Sequence, residues 1–451
     1  MGTTHMDGLH AGAAAADITP HDAQFLFGYP YVHRYATGVN DRLYSSALYL
    51  TDGRKPVVFI ANDIIFVTRQ MTQRIRSAVF EATGVPGSNV VVTATHTHSA
   101  PKIVDYLSNA DDSCVPPIDP SYLAFFERQV VDAAVAAIGG AQPARAGLVV
   151  ADATGVGTNR RDPRGPADPQ APALVVKARG SEDTIALMLV YSMHPTVLRE
   201  DSSVVSADFP GMARRYLQRS VFKSDIPVLH HTGPAGNQSP RHVISSTTVA
   251  ESERLGEMLG RAVEAALPRI TYCEALPIAC AQSFLDLPTR GMPPLHEAEQ
   301  SLAQAAARLA ELRASGAPWQ IVRKAEVDWF GSAETVTLAR AALDGRLEAT
   351  AVACLPAEVQ VVTIGPWAFA AWPGELFVEY GLAAKRERPG LYVISLANGE
   401  LQGYIATEEA VAEGGYEATN CLFAPETGSL FVEETLGLLR LLDESQGQSL
   451  A

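Results

Sequence analysis

Two histidines, His96 and His98, stand two residues apart at the end of the apolar run NVVVTATHTHSAP, residues 89–101. In an extended chain, residues i and i+2 face the same side, so a strand continuing through both would aim two imidazoles into one space. Neutral imidazole is a favoured zinc ligand, and an H-x-H pair at a strand end can seed a metal site. The alternative is a pair of hydrogen-bonded histidines at a strand terminus. A third histidine, His194, ends another buried run, DTIALMLVYSMHPT, just before Pro195. It could equally be a core histidine satisfied by a carbonyl. Glu375 follows WPG in the otherwise apolar FAAWPGELF, where a carboxylate is costly to bury without a partner. Pro-Gly-Glu could also open a helix ending near Lys385, where a carboxylate suits the helix dipole. IPVLHHTGPAGNQSP repeats the pattern of a short apolar strand followed by a Gly/Pro-rich loop with polar groups, Ser239 among them.

The elements that must position these residues follow from periodicity. SSALYLTDG and KPVVFIANDIIFVT form two strands joined at Asp52-Gly53. Met71, Ile75, Val79 and Phe80 sit at helical spacing, predicting a helix over about 69–83 that Gly84 and Pro86 stop. A second helix is expected over about 120–139, then the strand ARAGLVVADATGV. LHEAEQSLAQAAARLAELRASG and the stretch from about 318 to 347 predict a helical hairpin inserted at about 290–347. Strands resume at AEVQVVTIGPWAFAAWPGE, and a last helix spans about 430–442. The expected fold is α/β, one catalytic domain over residues 8–445 with a mixed β-sheet packed by helices. The site forms in loops at strand ends, as in open α/β sheets.

Composition narrows the function. The chain has 451 residues, 47% of them hydrophobic, and a formal net charge of −15. That charge argues against nucleic acid or anionic lipid as partner. No run reaches the roughly 18 apolar residues of a membrane span, so stable membrane association is not expected. Five widely spaced cysteines without C-x-x-C read as reduced thiols. With no basic-then-apolar leader at the N-terminus, a cytoplasmic location is expected. A homo-oligomer is compatible with all of this.

THTHSAP, MHPT, GNQSP, WPGE and GYIAT…GGYEA occur in the order found in the neutral (non-lysosomal) ceramidases, and the chain resembles that family from GAAAADITP to about Pro425. The resemblance implies a ceramidase-like zinc hydrolase domain that cleaves an amide. It implies zinc ligands His96, His194, Glu375 and Tyr404, with His98 facing the substrate rather than the metal. Tyr416 matches the tyrosine near the scissile carbonyl, Ser239 the serine required for activity, and Arg160 an active-site arginine. Asp208 matches an acidic position to which no chemistry is assigned. By the residues alone, Tyr404 reads as a core tyrosine, His230-His231 as structural loop residues and Glu408-Glu409 as a solvated helix start.

The departures matter too. The family's Gly-Asp-x-Ser-Pro-Asn is here Gly236-Asn237-Gln238-Ser239-Pro240-Arg241. Ala100, Lys102 and Ile103 stand where small residues usually follow H-T-H-S. The C-terminal immunoglobulin-like domain has no counterpart in this sequence. The expected reaction is therefore zinc-dependent hydrolysis of an amide smaller or more soluble than long-chain ceramide. Arg160, Arg161 and Arg241 would put positive charge near the pocket. A metal-dependent esterase or lactonase, true ceramide hydrolysis, and a non-catalytic binding protein are the alternatives. Zinc-activated water is the expected attacker. Ser239 either orients the carbonyl or acts as nucleophile, since GNQSP is not the G-x-S-x-G elbow.

Overall fold

A computed structural model describes residues 8–449. Most strands form two sheets, and three two-stranded ladders accompany them among the described residues. The larger has eight, in the order Val228–Thr232, Thr184–Tyr191, Gln170–Ala178, Gln142–Asp152, His10–Asp17, Tyr44–Thr51, Pro56–Asn62 and Val90–Ala94. Its outermost pair at each end is parallel, and the pairs between are antiparallel. The smaller has four: Ile278–Leu285, Ala357–Ile364, Trp367–Ala371 and Leu391–Ile394.

Side-chain alternation explains the layering. Along Pro56–Asn62, Val58 and Ile60 point into a core shared with Met71, Ile75, Val79 and Phe126 of the helices Arg69–Thr83 and Pro120–Gly139. Val57, Phe59 and Ala61 point the other way, into a core shared with Val362, Phe369 and Ile394 of the smaller sheet. Phe59 and Phe369 meet across it with ring centroids 5.7 Å apart. The helices Asp208–Tyr216 and Val249–Ala266 cover the rest of the larger sheet's outer face. The smaller sheet's outer face packs on the C-terminal helix Thr427–Ser449, where Trp372 meets Phe431. The α/β class holds, but the single expected sheet is two sheets stacked face to face. Residues from both sides of position 290 share the core between them.

Strands Ile278–Leu285 and Ala357–Ile364 pair along their whole length, Ile278 with Ile364 and Leu285 with Ala357. The helices Leu295–Ala314, Trp319–Leu343 and Arg346–Cys354 lie between them in sequence. The expected hairpin thus carries a third helix. Asp344 ends the second helix, and Gly345, with φ of 79°, turns the chain into the third. No helix among the described residues is long and apolar enough to cross a membrane.

Glu400 links the two halves of the fold by accepting the backbone N–H of Arg69 at 3.1 Å. Burial raises its pKa to about 7, against the pull of nearby Arg69. The folded state therefore holds this proton more tightly than the unfolded chain, whose pKa is near 4.5. The resulting stabilisation is complete below about pH 4.5 and is lost as pH rises through about 7. Glu400→Gln keeps an acceptor but has no charge to bury. Relative to wild type, its stability should rise between pH 4 and 8 by on the order of 2–3 kcal/mol. Chemical denaturation across that range measures this, and parallel curves would refute it.

Candidate metal centre and active site

The strand Val90–Ala94 stops before the histidine pair. His96 adopts φ of 69°, a conformation uncommon outside glycine, and its N–H bonds the carbonyl of Ile64 at 2.9 Å. His96 and His98 therefore converge through a strained turn and not through strand alternation. The loop behind them is pinned by buried Arg34, which donates to the carbonyl of His98, to Ser99 Oγ at 2.9 Å and to the carbonyl of Ser202 at 2.6 Å. His194 lies three residues past its strand, its N–H on the carbonyl of Gln238 at 3.3 Å. Glu375 is not in a helix, because the following helix starts only at Val378. It belongs instead to a two-residue parallel ladder in which Glu375 pairs with Tyr404 and Leu376 with Ile405. Paired residues of such a ladder point to the same side, so Tyr404 is no ordinary core tyrosine.

All three imidazoles use Nδ1 against backbone carbonyls: His96 on Ile65 at 2.9 Å, His98 on Gly28 at 2.9 Å, and His194 on Ala235 at 2.6 Å. A carbonyl can only accept, so each Nδ1 carries the proton and each Nε2 presents a lone pair. One ring nitrogen from each of the three histidines lies within 4.8 Å of the others. His96 Nε2 is 3.4 Å from His98 Nε2 and 3.2 Å from Glu375 Oε2, which is 2.9 Å from His194 Nε2.

Acceptors packed this closely need positive charge among them. A proton serves one pair, whereas a cation serves the whole set. Ligand atoms sharing a tetrahedral zinc stand roughly 3.3–3.6 Å apart, so the residues fit such an ion. Burial lowers the His194 pKa to about 4 and puts His98 well below the ordinary histidine range. Glu375 is held well below the carboxylate range only if positive charge stands beside it, as protonated His96 and His194 or as a cation shared with them, since burial alone would raise it.

The remaining expected residues surround this cluster. Tyr404 and Tyr416 meet edge to face with centroids 5.5 Å apart, and the Arg160 guanidinium lies over the Tyr404 ring at 5.3 Å. Arg160 Nη2 is buried without a hydrogen-bond partner. A short antiparallel pairing sets Ser239 opposite Thr158 and Gln238 opposite Asn159, and the Arg160 N–H continues it onto the Asn237 carbonyl at 2.8 Å. Ser239 Oγ accepts the Arg241 N–H at 3.2 Å, and among the described residues no imidazole or carboxylate bonds it. Asn237 stands where the resemblance expects aspartate. Its Nδ2 donates to Glu379 at 2.8 Å and its Oδ1 accepts the Val378 N–H at 3.0 Å. An aspartate there would face the Glu379 carboxylate.

Four readings need correction or refinement. His230 and His231 lie in the buried strand Val228–Thr232 and not in a loop, and His231 bonds Thr93 Oγ1 at 2.8 Å. Lys102 turns to Asp105 and the Pro116 carbonyl, and Ile103 joins the core, so neither crowds the pocket beside His98. Arg160 and Arg161 are both paired to Glu417, at 2.7 and 3.1 Å. Asp208 is a buried backbone clamp that accepts the N–H groups of Val197 and Leu198 and the Ser252 hydroxyl. Glu408 and Glu409 do start a helix, capped by Thr407.

A sequence model described as neutral/alkaline non-lysosomal ceramidase, N-terminal, matches residues 9–113. The structure is similar to that of a neutral ceramidase from Pseudomonas aeruginosa, with a TM-score of 0.74 at 17% identity over 95% of this chain and 74% of that one. A ceramidase complexed with C2 gives 0.72 at 16% identity over the same shares. The fold is the neutral-ceramidase fold.

Within the ceramidase fold of this chain, the cleft reveals residues the motifs did not. Arg323, Val327 and Phe330 of the inserted helix Trp319–Leu343 form one wall, with Tyr29 and Arg199 beside them. Gly28 lies under the His98 ring at φ of 122°, and a Cβ there would stand 2.4 Å from Nδ1. Gly28→Ala should displace His98 and lower turnover at least about tenfold, given how steeply rate depends on placement. Steady-state kinetics at matched metal content reads this, and unchanged kcat would show that His98 tolerates displacement.

Proposed function

We propose that this protein is a zinc-dependent hydrolase of ceramidase type that cleaves an amide C–N bond. The observation that carries this reading is the convergence of the His96, His98 and His194 Nε2 atoms with Glu375 Oε2 at the base of a cleft. His96, His194, Glu375 and Tyr404 would hold the metal. His98 is assigned to the substrate, because it lines the cleft and is the more exposed of the histidines, while His96 and His194 are each 1% exposed.

A zinc held by these residues would supply Lewis acidity for the carbonyl and lower the pKa of a bound water. His98, with Nδ1 fixed on Gly28, is placed to take a proton at Nε2 and deliver it to the leaving amine. Burial, together with the negative charge of Glu334, keeps the Tyr416 phenol protonated, so it can donate to the oxygen on which charge develops. The free Arg160 Nη2 is a second donor to that oxygen. Ser239, bonded to the Arg241 N–H and lacking a base, orients the carbonyl. Location in the cytoplasm accords with the five free cysteines.

The substrate proposed is a small water-soluble N-acyl compound. Metal analysis, followed by turnover of amide, ester and detergent-dispersed ceramide panels with and without chelator, tests the whole reading. Chelator-sensitive hydrolysis of soluble amides is the expected result. Activity on long-chain ceramide alone would overturn the substrate, and full activity in metal-free protein would overturn the mechanism.

A further inference from the structure

Arginines surround the cleft, and most of them are accounted for. Arg160 pairs with Glu417 at 2.7 Å, and Arg323 with Glu200 at 2.5 Å and Glu326 at 2.6 Å. Arg34 is consumed by the His98 carbonyl, the Ser99 hydroxyl and the Ser202 carbonyl. Arg199 and Arg241 differ. Among the described residues, the Arg199 guanidinium has no ion pair or hydrogen bond, although the residue is only 9% exposed. It stacks on Trp319 at 4.9 Å, which fixes its plane without neutralising it. Arg241 reaches only the Arg160 carbonyl, at 3.4 Å. Both line the cleft beside Ser239, Tyr416 and His98.

Arg199 is nearly buried and Arg241 half-buried, and a partly desolvated guanidinium gains when an anion supplies a close counter-charge. Burial and neighbouring Arg323 lower Arg199 against the pull of Glu200 and Asp201, and burial and neighbouring Arg160 lower Arg241 to about 10 against the pull of Glu417. Nor is the cluster a by-product of composition, since the chain carries a net charge of −15. On the other side of His98 the cleft continues between Phe27, Ile65, Phe66 and Tyr106, with Phe66 and Tyr106 stacked at 4.7 Å.

We propose that Arg199 and Arg241 form a carboxylate subsite, so that the substrate is an amphiphilic amide with an aliphatic arm among Phe27, Ile65, Phe66 and Tyr106 and a carboxylate on the two guanidiniums. Planar guanidinium matches carboxylate in a bidentate fork, and Trp319 has already ordered one of the two. N-acyl amino acids and monoamides of dicarboxylic acids share this chemistry, differing in which side of the scissile bond bears the acid. Which bond is cut rests on the hydrolase reading, whereas the anion site does not.

The test compares kcat/KM for N-hexanoylglycine, N-hexanoylglycinamide and the monobutylamide of glutaric acid. At least one carboxylate probe should exceed the glycinamide by about 10- to 100-fold, the range expected for a charge-assisted contact. Which of the two is preferred tells the side. In the Arg199→Gln/Arg241→Asn variant that ratio should collapse by a similar factor, and Arg199→Lys should keep part of it. If no amide is turned over, the hydrolase reading fails while the subsite stays testable: calorimetry should show N-hexanoylglycine binding to the wild type and at least tenfold more weakly to the double variant. Thermal melts confirm that the variants are folded. Equal rates on acid and carboxamide, or a preference or binding that survives in the double variant, would overturn the subsite.

Discussion

Glu375→Gln is expected to abolish turnover and to uncouple the protein's stability from metal. The side chain contributes the carboxylate to a set that otherwise comprises two imidazole nitrogens and the Tyr404 phenol oxygen, and it lies 2.9 Å from His194 Nε2 and 3.2 Å from His96 Nε2. Its loss should cost on the order of 10³ or more in kcat/KM, roughly 4 kcal/mol of transition-state stabilisation. Metal affinity should fall by more than the roughly 10–100-fold lost with a supporting hydrogen bond, since here a ligand itself is changed. The amide nitrogen of the glutamine can donate to the His194 or His96 lone pair, so the metal-free variant should melt no lower than metal-free wild type. Wild type should lose thermal stability on chelation and the variant should not, because only a ligand that binds the native state raises the melting temperature. Elemental analysis with paired melts decides it. Undiminished zinc in His96→Ala and His194→Ala would move the metal elsewhere.

What could be read from the residues alone divides along physical lines. The helices Arg69–Thr83 and Pro120–Gly139 were legible because local signals suffice, apolar residues at helical spacing and, for the first, Gly84 as a stop; the structure adds Thr68 and Asp119 as their N-caps. That His96, His194 and Glu375 are candidates was legible because such groups are costly in apolar runs, and the structure brings them together. Which sheet a strand joins was not, since every strand buried on both faces looks alike. The convergence of His96 and His98 was anticipated for the wrong reason. Alternation implied it, and a residue at φ of 69° achieves it.

Contacts over long sequence distance account for most of what was missed. Tyr404 owes its place to pairing with Glu375, Arg161 is taken by Glu417, and Arg323 reaches the cleft from an inserted helix whose composition shows only that it is a helix. Gly28 left no signal, because the constraint on it comes from the His98 ring packed against it.

The second large effect is expected at the buried pair of Arg160 and Glu417, and it separates folding from catalysis. The Nε–Oε1 distance is 2.7 Å, and the side chains are 7% and 5% exposed. Burial would raise the Glu417 pKa, yet Arg160 and Arg241 hold it below the usual range, so it is a carboxylate inside the protein. Arg160→Met leaves that charge with Arg161 alone as a close partner, at 3.1 Å. Breaking one side of a buried pair typically costs about 3–5 kcal/mol, and Arg161 should hold the loss to the lower end. Adding Glu417→Leu removes the stranded charge, and the double variant should regain most of the lost stability, since well-packed apolar replacements of buried pairs are often neutral. Turnover should not return with it. Arg160 also stacks over Tyr404 and carries the unpartnered Nη2 beside Tyr416, neither of which methionine supplies. Denaturation midpoints and kcat/KM for both variants form the test. If activity recovers in parallel with stability, Arg160 serves only to balance Glu417; if stability recovers alone, its guanidinium belongs to the reaction.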